Sequence, residues 1–264
     1  MSLLDGKVAI VSGAAQGLGE AFARALSEQG AQVLAFDVQD KIASVAESIE
    51  GATGNRVLGI QADVSKREDV ERVVATAVEA FGGLDVLVNN AGTWKRTPVD
   101  SSWEQTLADW DFIMDTNLKG LLMLSRACVP HLQARGAGDI VNISTYYVLP
   151  AKSEGTNSPE TDLYNASKWA INGFTDAWAK YLAKDNIRVN GLCMGATDTP
   201  MLRGLFPDGE LPAAMAETVM KPEQIGQLMI ELIEDGRSGE NIGAWVGEPV
   251  VMPPHPASNR LVSG

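Results

Sequence analysis

The chain has 264 residues, is 45% hydrophobic and carries a formal net charge of −13. This length and apolar content suffice for one large core, and we predict a single domain over residues 1–264. The acidic balance argues against nucleic-acid and anionic-membrane partners, which would repel the chain. No charged-then-apolar leader or membrane-length apolar run is present, so we expect a soluble, cytoplasmic protein. With two cysteines and two histidines in all, no metal site is expected.

The first predicted elements are a strand, a glycine-rich turn and a helix. Residues 7–11 form a β-branched apolar run, and a helical pattern covers residues 20–29. Glycines between them allow a close backbone approach, and the helix N-terminus offers N–H groups to phosphate. The alternative is a turn that binds no ligand, because the spacing Gly-x-x-x-Gly-x-Gly differs from the Gly-x-Gly-x-x-Gly fingerprint of dinucleotide binding. The residues predicted to hold a dinucleotide pyrophosphate are Gly13, Gln16, Gly17, Leu18 and Gly19.

The second predicted strand, residues 32–36, ends at Asp37. An acidic side chain there can bond the ribose hydroxyls of adenosine and repels a 2′-phosphate. We therefore predict NAD rather than NADP as the cofactor. A capping or turn aspartate is the alternative.

The third predicted strand, residues 56–61, is followed by Asp63 and Val64. Both are predicted to lie beside the adenine. Asp63 could also cap the helix expected to begin near Ser65, and the two roles are compatible.

The fourth predicted strand, residues 84–88, runs into an Asn-Asn-Ala-Gly sequence at residues 89–92. Small and amide residues at the carboxyl end of a strand suit a crevice in which a ligand lies across the sheet edge. Asn90, Ala91 and Gly92 are therefore predicted to contact the dinucleotide.

Tyr164 and Lys168 are four residues apart within a predicted helix over residues 162–183. At this spacing the phenol and the ammonium share one helical face. A neighbouring cation favours the phenolate and is expected to lower the tyrosine pKa, which makes the pair a candidate for proton transfer. Such a pair alone also arises by chance on many helices.

Three sequence motifs, each weak evidence alone, become specific evidence when they occur together in this order. The glycine turn, the Asn-Asn-Ala-Gly sequence and the Tyr-x-x-x-Lys pair resemble those of the classical short-chain dehydrogenase/reductase family over residues 5–201. Strand and helix patterns alternate without a linker, which predicts an α/β fold with a single doubly wound parallel sheet of the Rossmann type and helices on both faces. The resemblance implies a catalytic tetrad of Asn, Ser, Tyr and Lys.

The four catalytic positions of the family can be matched to residues of this sequence one at a time. Asn117 matches the helix asparagine, which in the family holds a water that connects the lysine to solvent; a helix asparagine bonding its own backbone is the alternative. Tyr164 matches the general acid/base, and Lys168 matches its activating partner, which also bonds the nicotinamide ribose. At the serine position the register favours Thr145, with Ser144 one residue earlier as the alternative. A threonine hydroxyl can make the same bonds within a narrower geometry.

The substrate end is predicted from segments that match the family less well. Residues 146–163 are longer than usual and are expected either to line a pocket with Tyr146 and Tyr147 or to form a surface excursion. Residues 200–221 are predicted to form an apolar lid, or alternatively a helix pair at an interface. Residues 187–201 resemble the nicotinamide-binding strand and turn. The cofactor-binding residues expected there are Gly195, Thr197 and Thr199.

These features together predict hydride transfer between NAD and a secondary alcohol or its ketone. Aromatic and methionine-rich loops, including Trp94, favour an apolar or cyclic substrate. Two alternatives are a non-catalytic dinucleotide-binding regulator and an epimerase or dehydratase on the same fold. The resemblance also implies a homotetramer packed through the helix that carries Tyr164 and the helix before it.

Overall fold

The computed structural model describes residues 2–149 and 159–255. Within these ranges seven parallel strands form one sheet, in the order β3-β2-β1-β4-β5-β6-β7. The order reverses between β1 and β4, which opens a crevice at the carboxyl ends of these strands. The predicted doubly wound α/β fold is confirmed. The strands are β1 Val8–Ser12, β2 Gln32–Asp37, β3 Val57–Gln61, β4 Val86–Asn89, β5 Gly138–Thr145, β6 Ile187–Met194 and β7 Asn241–Ala244.

Helices cover both faces of the sheet. Because side chains alternate along a strand, Ala9 and Val11 of β1 enter one core cluster, while Val8 and Ile10 enter the other. All four are buried, as expected for a parallel strand covered on both sides. The helices are α1 Gly17–Glu28, α2 Ile42–Thr53, α3 Arg67–Phe81, α4 Trp103–Met114, α5 Leu121–Arg135, α6 Asp162–Leu182, α7 Pro200–Arg203, α8 Ala213–Ala216 and α9 Pro222–Asp235.

The two core clusters join different helices to the sheet. The first contains buried side chains of α1, α2 and α9, and the second contains buried side chains of α3, α5 and α6. Both sets of helices are therefore anchored by apolar burial, which holds the loops at the carboxyl edge of the sheet in place. None of the described helices is long and apolar enough to span a membrane.

One element was not predicted from the sequence. A π-helical turn, Asp115–Gly120, separates α4 from α5. Such turns insert an extra residue into the helical register and often occur at functional sites. This one contains Asn117, one of the predicted catalytic residues.

Candidate active site

A cleft of about 820 Å³ lies at the carboxyl edge of the sheet. All of the predicted cofactor-binding residues contribute to its lining, as do Thr145, Tyr164 and Lys168. Asn117 is buried beside the cleft, with 1% of its surface exposed. The fold thus brings together residues from widely separated parts of the sequence.

The glycine turn after β1 is closely packed and adopts left-handed backbone conformations. Gly13 and Gly17 adopt positive φ angles of 65° and 59°, which favour glycine. A Cβ on Gly13 would lie 2.8 Å from the Cα of Ala91, and one on Gly19 would lie 2.0 Å from the Gly13 carbonyl oxygen. Gln16 precedes α1 in an extended conformation and makes no side-chain capping bond. The first N–H groups of α1 therefore remain available to phosphate at the positive end of the helix dipole.

Two aspartates, Asp37 and Asp63, line the cleft beyond the ends of β2 and β3. The Asp37 carboxylate accepts hydrogen bonds from the backbone N–H groups of Ala15, at 3.1 Å, and Gln39, at 3.0 Å. Asp63 accepts bonds from the backbone N–H and the hydroxyl of Ser65. The residue that precedes α3 is Lys66, so the helix-capping alternative for Asp63 is wrong. Asp63 instead stabilises the turn that leads to the helix.

A cross-link between β1 and β4 was missed from the sequence. The Ser12 hydroxyl accepts hydrogen bonds from the backbone N–H groups of Asn90 and Ala91, both at 3.0 Å. The Asn90 amide donates to the carbonyl oxygens of Ser12, at 2.9 Å, and Gly13, at 3.0 Å. These bonds fix the two cleft-lining turns relative to each other. A serine at the carboxyl end of β1 was the available signal.

Asn117 connects the π-helical turn to two other elements. Its side-chain oxygen accepts a bond from the Thr93 N–H at 2.7 Å, and its amide donates to the Thr93 carbonyl oxygen at 3.0 Å and to the Ser167 hydroxyl at 3.1 Å. The alternative of an asparagine bonded to its own helix backbone is therefore wrong. A Cβ on Gly92 would lie 3.4 Å from Asn117 Oδ1 and 3.6 Å from Lys168 Nζ, so these groups flank one small gap.

Tyr164 and Lys168 lie one turn apart on α6 and both line the cleft. Lys168 is buried, whereas Tyr164 is partly exposed. Desolvation of the phenol, followed by the neighbouring Tyr147 phenol, raises the pKa of Tyr164, and the nearby Thr145 hydroxyl partly offsets this. The sequence-based expectation of a lowered pKa is thus wrong for this structure. Lys168 Nζ is 5.8 Å from the Tyr164 ring centroid and donates to the Ile143 carbonyl oxygen at 2.9 Å.

Burial also lowers the pKa of Lys168 to about 8. An ammonium in an apolar environment loses hydration, which favours the neutral amine. Lys168 therefore remains largely protonated at neutral pH but is close to its titration point.

The hydroxyls of Ser144 and Thr145 differ in direction. The Ser144 hydroxyl donates to the Lys168 carbonyl oxygen at 3.3 Å and lies near the buried thiol of Cys193. The Thr145 hydroxyl accepts a hydrogen bond from the Tyr147 N–H at 3.5 Å and lies near the Tyr164 phenol. Both Ser144 and Thr145 contribute to the cleft lining. The extended strand points consecutive side chains to opposite faces, which separates the two hydroxyls.

The segment after β6 covers part of the cleft, and hydrogen bonds hold its two ends together. Met201, Leu202 and Leu205 contribute to the cleft lining. Asp198 accepts hydrogen bonds from the Arg203 guanidinium, at 2.7 and 3.2 Å, and from Lys221 Nζ, at 2.8 Å. These bonds lower the pKa of Asp198 to about 2. The three side chains thus join both ends of the predicted lid segment.

Comparisons with known proteins identify the family to which the chain belongs. The family profile described as short chain dehydrogenase matches residues 7–210. The chain is 34% identical to 3-oxoacyl-[acyl-carrier-protein] reductase FabG of Thermotoga maritima over 251 residues, which are 91% of this chain and 96% of that protein.

Two further proteins show the same similarity. Cis-4-hydroxycyclohexanecarboxylate dehydrogenase of Sinomonas cyclohexanicum is 33% identical over 88% of this chain and 91% of its own. The crystal structure of a putative short-chain alcohol dehydrogenase from Sinorhizobium meliloti superposes with a TM-score of 0.80 at 32% identity, covering 91% of this chain and 95% of that one. The chain therefore belongs to the short-chain dehydrogenase/reductase family of oxidoreductases.

Proposed function

We propose that this protein transfers hydride between NAD and a secondary alcohol or its ketone. The observation that carries the proposal is the convergence of three groups at one point of the cleft wall. Thr145, Tyr164 and Lys168 all line the cleft. The Thr145 hydroxyl lies close enough to the Tyr164 phenol to affect its pKa, and Lys168 is one helical turn from Tyr164 on the same helix. Hydrogen-bond donors and a titratable phenol at one point suit proton transfer to or from a carbinol oxygen.

Each side chain has a distinct role in the proposed reaction. Thr145 holds the substrate oxygen, and Tyr164 Oη exchanges the proton with it. The raised pKa of Tyr164 keeps its phenol protonated at neutral pH, which is the state required to donate to a ketone oxygen. Lys168 supplies positive charge, and Asn117, across the gap beside Gly92, relays the proton outward with it.

The glycine turn and Asp37 are proposed to bind NAD. When bound, the dinucleotide supplies the hydride acceptor and a ring charge that favours the Tyr164 phenolate. Asp37 supports NAD over NADP because its carboxylate faces the cleft and would repel a 2′-phosphate. Val38 and Gln39, which follow it and also line the cleft, carry no positive charge to offset that repulsion. Gly195, Thr197 and Thr199 are proposed to hold the nicotinamide end.

The rest of the lining supports an apolar or cyclic substrate. Trp94, Tyr146, Tyr147 and Leu205 are among the residues that line the cleft with Tyr164. Apolar and aromatic walls with few polar groups are typical of sites for small organic ligands. The name of the Sinomonas relative, which is a hydroxycyclohexanecarboxylate dehydrogenase, is consistent with a cyclic alcohol.

The test is NADH formation against a panel of cyclic and aryl secondary alcohols, with Tyr164→Phe as the variant. We expect turnover to fall about 1,000-fold because the proton-transfer group is removed. Tyr181→Phe is the matched control, since this tyrosine is 66% exposed and outside the cleft. Full turnover in Tyr164→Phe would overturn its assignment. NADH binding without turnover on any substrate would favour the regulator instead.

We also propose a homotetramer in the cytoplasm. Trp103, Leu107 and Trp110 are more than half exposed on α4, and Trp169 is exposed on α6. Burying such apolar surface against further copies would stabilise an assembly. Light scattering on the purified protein measures its mass directly, and a monomer would overturn the proposed assembly. Cys128 and Cys193 are buried as free thiols, which supports a reducing compartment.

A further inference from the structure

Tyr147 lies directly beside the proposed reaction centre but has no part in the proton transfer described above. A short 3₁₀ turn, Tyr146–Val148, follows β5 immediately after Thr145. Both tyrosine rings line the cleft. The turn places the Tyr147 phenol close enough to Tyr164 that its charge would raise the pKa of the Tyr164 hydroxyl.

The position of Tyr147 is fixed by aromatic contacts. Its ring centroid is 4.6 Å from that of Tyr146, and the two rings are tilted by 49° to each other. The Tyr146 ring packs edge-on against Trp245, with centroids 5.7 Å apart. A Cβ on Gly195 would approach the Tyr146 ring to 3.2 Å, so the backbone of the turn after β6 closes the other side. A phenol held in this way loses little conformational entropy when it binds a ligand.

The charges of the cleft restrict what this phenol can bind. Among the described residues of the lining, Lys168 is the only cation, and it is already assigned to the reaction. Asp111 in the lining adds negative charge, whereas Asp115 is paired with Lys119. Lys95 and Arg96, which follow Trp94, are paired with Asp109 and Glu160 and lie outside the lining. An anionic substituent would therefore meet repulsion, whereas a neutral oxygen would find the Tyr147 hydroxyl.

We propose that Tyr147 is a substrate-binding residue that selects secondary alcohols and ketones bearing a second, uncharged oxygen group on a neighbouring carbon. Cyclic or aryl vicinal diols and hydroxyketones have this chemistry. Tyr164 and Thr145 hold the reacting oxygen, and Tyr147 holds the second oxygen. This inference rests on the proposed hydride transfer and adds the substrate class to it.

The experiment compares NAD-dependent oxidation of 1,2-cyclohexanediol, cyclohexanol and 2-hydroxycyclohexanecarboxylate. In the unaltered protein we expect kcat/KM to rank the diol first and the carboxylate last. Tyr147→Phe removes one neutral hydrogen bond and should lower the diol-to-cyclohexanol ratio of kcat/KM about tenfold. Tyr147→Gln keeps a donor and should restore part of the ratio. Tyr181→Phe makes the same chemical change outside the cleft and should leave the ratio unchanged.

The outcomes separate this inference from the proposed function. Turnover of both alcohols that is lost in Tyr164→Phe, with the same ratio in Tyr147→Phe and the unaltered protein, would overturn the role of Tyr147 alone. A preference for the carboxylate would likewise overturn the proposed substrate class while leaving hydride transfer intact. Turnover that survives Tyr164→Phe would overturn the proposed mechanism.

Discussion

The two ends of the cleft are built in different ways. At the dinucleotide end, the turn after β1 is shaped by glycine backbone and by bonds from Ser12 and Asn90. At the substrate end, the walls are side chains from the turn after β5 and from the segment after β6. The first end tolerates little change because backbone atoms meet there at contact distance. The second end can be altered one side chain at a time.

The two ends therefore control different properties. The first controls affinity for the dinucleotide, and the second controls selectivity among substrates. Backbone N–H groups bind a phosphate in any dinucleotide, whereas the shape and polarity of side chains decide which alcohol fits. We therefore expect changes at the glycine turn to affect cofactor binding as a whole. Changes at the substrate end should mainly alter ratios between substrates or cofactor access.

The largest effect is expected for Gly13→Ala. Alanine at positive φ is strained by about 1 kcal/mol, and its Cβ would also lie 2.8 Å from the Ala91 Cα. Since the clash would displace the turn, we expect the Kd for NADH to rise about 100-fold, equivalent to about 3 kcal/mol. Gly6→Ala is the control, because Gly6 also has positive φ but no atom within 4 Å of the added Cβ. Fluorescence titration measures both, and equal affinities would contradict the steric explanation.

Asp37→Asn tests the other feature of the dinucleotide end. Removing the negative charge should reduce the preference for NAD over NADP about 30-fold, or about 2 kcal/mol, because the 2′-phosphate is no longer repelled. The ratio of kcat/KM for the two cofactors is the measurement. Asp40→Asn makes the same change at an exposed position outside the cleft. Equal shifts in both variants would indicate a general charge effect rather than a local one.

Lys168→Met tests the junction between the two ends. The pKa of Lys168 is about 8 in the folded protein and 10.5 ordinarily, so the unfolded chain binds this proton more tightly. The lowered pKa therefore reduces the free energy of unfolding by about 3 kcal/mol. This destabilisation is fully present below pH 8 and disappears as pH rises through 10.5. We expect the methionine variant to be inactive but to melt about 5 °C higher at pH 7.

The pH dependence makes this prediction specific. Thermal melts at pH 7 and pH 10 should show the advantage of Lys168→Met shrinking at the higher pH, where unaltered Lys168 is neutral in the fold. A constant difference in melting temperature would show that loss of hydration is not its cause.

The smallest effect is expected for Asp198→Asn at the substrate end. The variant weakens the bonds to Arg203 and Lys221 that join the ends of the lid segment. Partly exposed ion pairs contribute about 1 kcal/mol or less, so KM should change only about two- to threefold. Steady-state kinetics measure this, with Asp176→Asn, which alters the exposed Lys180 pair, as the control. An unchanged KM would show that the ion pairs do not control the lid.

The pH dependence of this ion-pair cluster has a defined sign. The pKa of Asp198 is lowered from 3.8 to about 2, so the contribution of its ion pairs is present above pH 3.8 and is lost as pH falls through 2. Between pH 5 and 8 Asp198 stays ionised, so its ion pairs should not make KM depend on pH.

The sequence by itself determined the fold and the dinucleotide end. Strand β1, the glycine turn and α1 are contiguous, so local hydrophobic periodicity and the conformational freedom of glycine are sufficient to place them. The alternation of strands and helices then predicts the parallel sheet, which the structure confirms. Tyr164 and Lys168 could likewise be placed on one helical face from their spacing alone.

Only the tertiary structure decided how the other groups meet. The π-helical turn that contains Asn117, the close approach of Thr145 to Tyr164, and the desolvation of Lys168 all depend on packing between distant segments. The expected direction of the Tyr164 pKa was wrong for the same reason. Spacing along a helix indicates which side chains are neighbours, but tertiary packing decides how much water each one loses, and this loss is the largest cause of the raised pKa of Tyr164.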